Sequence, residues 1–156
     1  MISLCLFVFL PVGCTNKQSV ADKVIAQEQK DVPFTITVPT YFPKDVRIIP
    51  SAISGPSTND ITRSVSIGIT YYGSNSDKTI ILYEENTNIN MLAGSPSATL
   101  NINGVNILRQ EADMGSASKI TTGLLYSWNR NGIHIDVRVF GYDQTEGDKI
   151  VESMIK

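Results

Sequence analysis

Two Asn-Gly pairs, each set between short runs of alternating apolar and polar residues, constrain the fold of this chain more than any other feature. Asn103-Gly104 separates the runs at 100–102 and 105–108, and Asn131-Gly132 separates the runs at 124–128 and 133–140. Asn-Gly is favoured in two-residue hairpin loops because both central positions need a positive φ. The chain is therefore predicted to contain at least two antiparallel hairpins.

A third hairpin is predicted between residues 64 and 83. Val65, Ile67, Ile69 and Tyr71 alternate with Ser64, Ser66, Gly68 and Thr70, as expected of a strand with one buried face and one wet face. Residues 73–77 have the composition of a turn, and residues 79–83 then form the return strand. Residues 86–99 are rich in Asn, Thr, Ser, Gly and Pro, which predicts a long loop.

The periodicity becomes helical after Gly141. Four apolar residues recur on one helical stripe, with Asp143 or Thr145 available as the N-cap: Ile150, Val151, Met154 and Ile155. Strands in succession followed by one helix predict an α+β fold, in which an antiparallel sheet of successive hairpins is covered by one C-terminal helix. A chain of 156 residues fits one domain, and its 18% charged residues suit a globular protein.

The first residues have the character of an export signal. Residues 1–10 form an apolar run that is too short to span a bilayer as a helix, and Gly13 precedes Cys14. Gly13-Cys14 resembles the lipobox of bacterial lipoproteins, which implies cleavage after residue 13 and attachment of diacylglycerol and palmitate-like acyl chains to Cys14. An ordinary signal peptide, or a truncated membrane anchor in which Cys14 is incidental, stays open as an alternative.

The segment at 14–30 is polar and is interpreted as a spacer between the lipid and a folded domain at 31–156. Ser19 as a cap, followed by Val20, Val24 and Ile25, would permit a short amphipathic helix within this spacer. We therefore expect a lipid-anchored protein on the extracytoplasmic face of a cell membrane. Its expected partners are that membrane, through the anchor, and an extracytoplasmic protein or lipid ligand.

Composition excludes several classes of function. A net charge of −2 without any run of Lys or Arg argues against a nucleic-acid surface. Both cysteines, Cys5 and Cys14, lie at the N-terminus, so the body of the chain has no thiol for a disulfide, a zinc site or nucleophilic catalysis. No Gly-rich phosphate-binding motif occurs, and no cofactor is expected.

Three stretches of the body resemble a bacterial family known as domain of unknown function 4367. They are Pro33-Phe34 with the Pro-Thr-Tyr-Phe-Pro motif at 39–43, the Trp-containing hairpin at 125–133, and the closing helix at 148–155. The resemblance spans about residues 31–156. It implies an extracytoplasmic domain, found behind membrane anchors or in anti-sigma-factor-like proteins and related to lipoprotein carriers and sensors, without defined catalytic residues.

Candidate catalytic groups are few. His134 is the only histidine, and it shares one strand face with Asp136 and Arg138 at a spacing of two. A base with a carboxylate beside it is one interpretation, but no Gly-x-Ser-x-Gly motif accompanies it. A solvated face of alternating charge is the preferred interpretation, so no catalytic residue is assigned and the chain is not expected to be an enzyme.

Metal and ligand sites are equally hard to find in the sequence. Four carboxylates, at Glu84, Glu85, Glu111 and Asp113, lack the spacing of a zinc or calcium site, and Glu84-Glu85 is interpreted as a wet strand end. Several aromatic residues could line a ligand groove but are interpreted mainly as core: Trp128, Tyr126, Tyr71, Tyr72 and Tyr83.

Two functions follow as hypotheses. The first is a non-catalytic binding or sensing module, whose sheet or sheet edge recognises a partner outside the membrane. The second is a carrier of a hydrophobic ligand or lipoprotein, with a cavity of a few hundred Å³ between the sheet and the helix at 143–156. A filled core with an exposed strand edge would favour the first hypothesis.

Overall fold

The computed structural model describes residues 16–50, 52–58, 64–75, 77–87, 97–116 and 119–155. The expected signal segment and Cys14 lie outside these residues, as does 88–96 of the predicted loop. The described elements are α1 (Asn16–Glu28), β1 (Ala52–Thr58), β2 (Val65–Tyr72), β3 (Thr79–Glu85), β4 (Ala98–Ile102), β5 (Val105–Ser116), β6 (Lys119–Arg130), β7 (Ile133–Phe140) and α2 (Gln144–Glu152).

All seven strands form one antiparallel sheet with the order β1-β2-β3-β7-β6-β5-β4. The predicted α+β class is confirmed, with hairpins in succession and a short helix at each end of the described chain. Both Asn-Gly turns adopt the predicted left-handed backbone, with φ of 50° and 82° at Asn103 and Gly104 and of 52° and 79° at Asn131 and Gly132. β1 is an edge strand that the sequence pattern did not predict.

One face of the sheet carries the core. Alternate strand residues point to this face, and the residues buried on it are Ile67, Ile69, Tyr71, Ile80, Leu82, Glu84, Ile107, Tyr126, Trp128, Ile135, Val137 and Val139. Two segments cover it. One is α2 with the residues that follow it, and the other is an extended segment at 31–43, which we call the strap.

The strap has a period-two burial pattern although it belongs to no strand of the sheet. Val32, Phe34 and Ile36 are buried, whereas the alternating residues Pro33 and Thr35 are exposed. The same alternation is present in the sequence, where apolar and polar residues alternate from residue 32 to residue 36. The strap therefore lies as an extended chain across the apolar face.

The C-terminal helix begins as predicted, because the Asp143 side chain accepts a hydrogen bond of 2.9 Å from the Glu146 N–H. Ile150 and Val151 are fully buried, and Met154 and Ile155 are buried just beyond the end of the helix. The predicted apolar stripe therefore does cover the sheet.

The N-terminal helix differs from its prediction. It starts at Asn16 rather than after Ser19, and Val20 is 44% exposed instead of contributing to an apolar stripe. Ala21 is buried and Ile25 packs against the core, so this helix, within the range expected to be a spacer, contacts the folded body. No helix in the described part of the chain is long and apolar enough to cross a membrane.

Candidate functional site

A groove of about 710 Å³ lies between the strap, the turn of the β6–β7 hairpin and the residues after α2. Its lining is mixed, with six polar residues among the thirteen. The lining residues are Pro33, Phe34, Thr35, Ile36, Thr37, Val38, Thr40, Arg130, Asn131, Ile133, Ile135, Ser153 and Met154. Seven of them come from the strap, so the strap forms the longest wall of the groove.

The strap is held by side chains rather than by pairing with a strand. Gln29, the residue directly after α1, bridges to the strap: its Nε2 donates to the Phe34 carbonyl at 2.6 Å and its Oε1 accepts from the Ile36 N–H at 2.8 Å. Ser153 holds the far end, where its Oγ accepts from the Thr40 and Tyr41 N–H groups, both at 3.2 Å. These side-chain hydrogen bonds fix the position of the strap, and no strand within the described residues pairs with it.

The two edges of the strap have different hydrogen-bond partners. In extended backbone, the N–H and C=O of alternate residues point to opposite sides. Gln29 occupies the side to which Phe34 and Ile36 point. Thr35 and Thr37 point to the other side, where the Thr37 N–H donates to Oε1 of Glu84 and the Thr35 N–H and C=O have no partner in the described residues. Gln29 lines a smaller cavity of about 210 Å³ beside α1 and does not line the groove.

Glu84 lies in the core beneath the strap. It is 1% exposed, its Oε1 accepts a hydrogen bond of 2.9 Å from the Thr37 N–H, and its Oε2 has no partner in the described structure. Burial raises the pKa of Glu84 to about 8, although the hydrogen bond from the Thr37 N–H lowers this pKa by a smaller amount. The interpretation of Glu84 as a wet strand end is therefore wrong, because the strap covers this end of β3.

Glu84 and Trp128 flank the same groove residue. Ile135 of β7 is paired with Glu84 of β3 on one side and with Trp128 of β6 on the other. The Nε1 of Trp128 is also buried without a partner in the part of the chain that the structure describes. Two uncompensated polar groups thus lie next to the groove wall, where buried polar groups are normally hydrogen-bonded.

A polar cluster occupies the opposite face of the sheet. His134 is 0% exposed and Asp136 is buried, so the preferred interpretation of these two residues as a solvated face is wrong. Arg138, the third residue of the predicted set, is exposed. His134 and Asp136 can be buried because neighbouring strands supply polar partners. The sequence of one strand does not show which residues of its neighbours will lie beside it.

The cluster does not have the arrangement of a catalytic triad. The Nε2 of His134 lies 3.1 Å from Asp136 Oδ1 and 3.3 Å from Ser127 Oγ, and its Nδ1 lies 3.0 Å from Asn129 Oδ1. A triad requires the hydroxyl and the carboxylate on opposite ring nitrogens, so that one nitrogen is oriented while the other takes the proton. Here the hydroxyl of Ser127 and the carboxylate of Asp136 both lie beside Nε2. The arrangement therefore provides hydrogen-bond partners for buried polar groups.

Glu85 belongs to the same face and is also buried, so its interpretation as a wet strand end is wrong as well. Its Oε1 accepts a short hydrogen bond from Ser64, and its Oε2 lies 3.3 Å from the Tyr83 hydroxyl. In the sheet register Glu85 is directly opposite His134. The register therefore places polar residues of β6, β7 and β3 side by side on this face.

The other predicted candidates are dispersed. Glu111 and Asp113 are exposed on β5, and within the described residues no three His, Cys, Asp or Glu side chains converge on a common point. Tyr71, Tyr126 and Trp128 are core residues, as interpreted from the sequence. Tyr72 and Tyr83 are not: Tyr72 is 46% exposed, and Tyr83 is half-buried on the face of the polar cluster.

No family model, curated protein or solved structure matches this chain. The resemblance to domain of unknown function 4367 therefore stays a prediction from sequence.

Proposed function

We propose that this protein is a non-catalytic binding module, tethered to the extracytoplasmic face of a membrane through a lipid on Cys14, and that its ligand binds in the groove beside the strap. The observation that carries the proposal is the groove itself. Its volume of about 710 Å³ falls in the range typical of small-molecule sites.

The chemistry of the lining supports binding rather than catalysis. Ile133, Ile135 and Met154 offer apolar contact, while Thr35, Thr37 and Thr40 contribute polar atoms. Such a combination of apolar surface with a few polar groups that fix orientation is typical of ligand sites. The histidine of the chain lies on the opposite sheet face, in the polar cluster, and contributes nothing to the groove.

A carrier of a hydrophobic ligand or lipoprotein is the second candidate. The position of the groove favours it in part, because Ser153 and Met154, which follow α2, contribute to the lining. The polar half of the lining favours the binding module, since an apolar cargo would leave these polar groups without partners. Identification of the ligand by mass spectrometry decides between the two candidates.

The tether rests on the apolar run and on Gly13-Cys14. Metabolic labelling with a fatty-acid analogue should mark the wild-type protein and not Cys14→Ser. Label retained on Cys14→Ser would contradict the tether, while the proposal for the groove would stand.

Groove binding can be tested by photo-crosslinking in intact cell envelopes. A benzophenone amino acid in place of Thr35, on the exposed side of the strap, should give a discrete adduct. The same group in place of Arg138, exposed on the opposite face, serves as the matched control. An adduct at position 35 alone supports the groove. Equal adducts at both positions, or none at either, would contradict it.

A further inference from the structure

We infer that the ligand of the groove is an uncharged saccharide, whose hydroxyl groups bind the polar side chains of the lining and reach two buried polar atoms beside Ile135. The inference rests on the proposed function and specifies its ligand class. A saccharide carries hydroxyl groups, which both donate and accept hydrogen bonds, around rings whose C–H groups form apolar surfaces. The groove offers a counterpart to each of these features.

The polar part of the lining is the first reason, because it consists almost entirely of neutral groups that can donate and accept. Four residues contribute hydroxyls and one contributes an amide: Thr35, Thr37, Thr40, Ser153 and Asn131. The side chains of Thr35, Thr37 and Asn131 form no hydrogen bond with another described residue. Hydroxyl groups of a ligand are suitable partners for them, since a hydroxyl can take either role.

The apolar part of the lining is distributed over all three walls of the groove. Phe34 belongs to the strap, Ile133 and Ile135 belong to β7, and Met154 follows α2. The C–H surface of a sugar ring can pack against these side chains while its hydroxyl groups face the threonines. Apolar surface with a few polar groups that fix orientation is typical of ligand sites.

The inner end of the groove is the second reason. Ile135 lines the groove, and the sheet register places Glu84 and Trp128 on either side of it. Oε2 of Glu84 and Nε1 of Trp128 are buried without a partner in the described structure, although buried polar groups are normally hydrogen-bonded. A displacement of the strap at Thr37, which is bonded to Oε1 of Glu84, would open this end. Ligand hydroxyls could then accept from Nε1 and bind the carboxyl group.

The charge of the lining favours a neutral ligand. The thirteen lining residues include neither Asp, Glu nor Lys, and Arg130 is their one charged member. Arg130 is already engaged within the fold, since its Nη1 lies 3.5 Å from the Met154 carbonyl and it makes a further interaction. An ionic ligand would therefore lose its hydration without gaining a counter-charge in the groove.

A peptide strand and an acyl chain fit the groove less well. A strand would need a ladder of main-chain partners beside Thr35, but on that side the Thr37 N–H donates to Glu84 and Pro33 has no N–H. An acyl chain has neither donors nor acceptors, so it would remove water from the hydroxyls of the lining without replacing their hydrogen bonds. This loss is unfavourable.

The dimensions of the groove suit a short oligosaccharide rather than a single sugar. Residues 33–38 of the strap line the groove without interruption, which is a span of about 20 Å for extended chain. The cavity of about 710 Å³ is continuous from this wall to Ile133 and Met154. Several linked rings can therefore lie along the strap, with one of them next to Ile135.

The fluorescence of Trp128 provides the test, because it is the only tryptophan of the chain and lies at the inner end of the groove. The full chain, in a detergent without a sugar headgroup, is titrated with cellotetraose, maltotetraose and chitotetraose. Tetraalanine and hexanoate serve as non-saccharide probes. We expect a saturable shift of the emission to longer wavelength with at least one oligosaccharide, since Nε1 gains an acceptor, and no shift with the other probes. Calorimetry then measures the affinity.

Three variants test the protein side by calorimetry. Trp128→Phe keeps an aromatic ring without the Nε1 donor and should weaken binding of that oligosaccharide by about tenfold. Thr35→Val removes one hydroxyl from the groove and should weaken binding about threefold or more. Thr99→Val, at an exposed position of β4 outside the groove, is the matched control and should bind like the wild type. Thermal unfolding verifies that the variants are folded. If Trp128→Phe is not, the two threonine variants still decide.

Failure of this inference is distinguishable from failure of the proposed function. The inference is wrong if no oligosaccharide binds, if one binds without changing the emission of Trp128, or if Thr35→Val and Thr99→Val bind it equally well. An adduct of another chemical class from the crosslinker at position 35 would then leave the groove as a binding site for another ligand. Absence of both saccharide binding and an adduct would overturn both proposals.

Discussion

The main-chain N–H of Thr37 donates a hydrogen bond of 2.9 Å to Oε1 of Glu84, and so joins the strap to an ionisable group inside the core. The partners are 47 residues apart in the chain. Since Glu84 is buried and its second oxygen has no partner in the described structure, the state of this carboxyl group couples the stability of the fold to pH.

Removing the charge of Glu84 should flatten the pH dependence of stability. The pKa of Glu84 rises on folding from an ordinary value of 4.5 to about 8, so the folded chain holds this proton more tightly than the unfolded chain. The free energy of unfolding should therefore fall as pH rises from 4.5 towards 8, by about 1.4 kcal/mol per pH unit at most. Urea unfolding of wild type and Glu84→Gln at pH 5, 6, 7 and 8 measures the effect.

Glu84→Gln keeps an oxygen that can accept from Thr37, so the variant should fold. We expect the wild type to lose stability over this range and the variant to change much less. Parallel pH profiles for the two proteins would show that Glu84 is not a buried acid.

Removal of the two Gln29 side-chain hydrogen bonds should weaken the attachment of the strap to the fold. Gln29→Ala leaves the Ile36 N–H and the Phe34 carbonyl without their described partner. Losing the partner of a buried polar group typically lowers the free energy of unfolding by about 1 to 3 kcal/mol, and by less where water can replace the partner. Gln27→Ala, at an exposed position of α1 two residues earlier, is the matched control. Hydrogen exchange at the Ile36 amide should accelerate in Gln29→Ala only. Equal exchange in both variants would mean that the Gln29 side chain does not hold the strap.

The polar cluster should matter for stability. Asp136→Ala removes the carboxylate from His134 in a buried site and should lower the free energy of unfolding by about 2 kcal/mol or more. Arg138→Ala, two residues away and exposed, should change it by less than about 0.5 kcal/mol. Chemical unfolding checks both. If Asp136→Ala were as stable as Arg138→Ala, the cluster would have no structural role.

The contact between α2 and the sheet should depend on a glycine. A Cβ at Gly147 would lie 2.5 Å from the Tyr126 hydroxyl oxygen and 3.2 Å from its ring carbons. Gly147→Ala should therefore destabilise the protein by about 1 to 3 kcal/mol, despite the better helix propensity of Ala. Tyr126→Phe removes the atom closest to this Cβ. The loss of stability in the double variant should therefore be smaller than the sum of the losses in Gly147→Ala and Tyr126→Phe. Strict additivity would contradict this contact.

Local signals predicted much of this fold and little of its site. The turns at Asn103-Gly104 and Asn131-Gly132 and the N-cap at Asp143 were predictable because each depends on a few neighbouring residues. The burial of His134 could not be predicted in this way, because it depends on which residues of β6 and β3 the register places beside β7. In general, pairing partners cannot be derived from one strand alone.

The groove was missed for a similar reason. Its walls come from residues 33–40, 130–135 and 153–154, which only the folded chain brings together. The alternation of Val32, Phe34 and Ile36 with exposed residues was the one local signal that could have indicated the strap. It predicts an extended segment with one buried side, but not the absence of a paired strand.

The most direct test of the central claim is native mass spectrometry of the protein extracted from membranes. Ile133→Trp should fill the groove. Ile81→Trp is the matched control: Ile81 is half-buried, as Ile133 is, but it lies on the opposite face of the sheet, in the neighbouring strand β3. The account predicts that wild type and Ile81→Trp carry a non-covalent ligand and that Ile133→Trp carries none. A ligand retained by folded Ile133→Trp, or a wild type that carries none, would contradict a binding site in the groove.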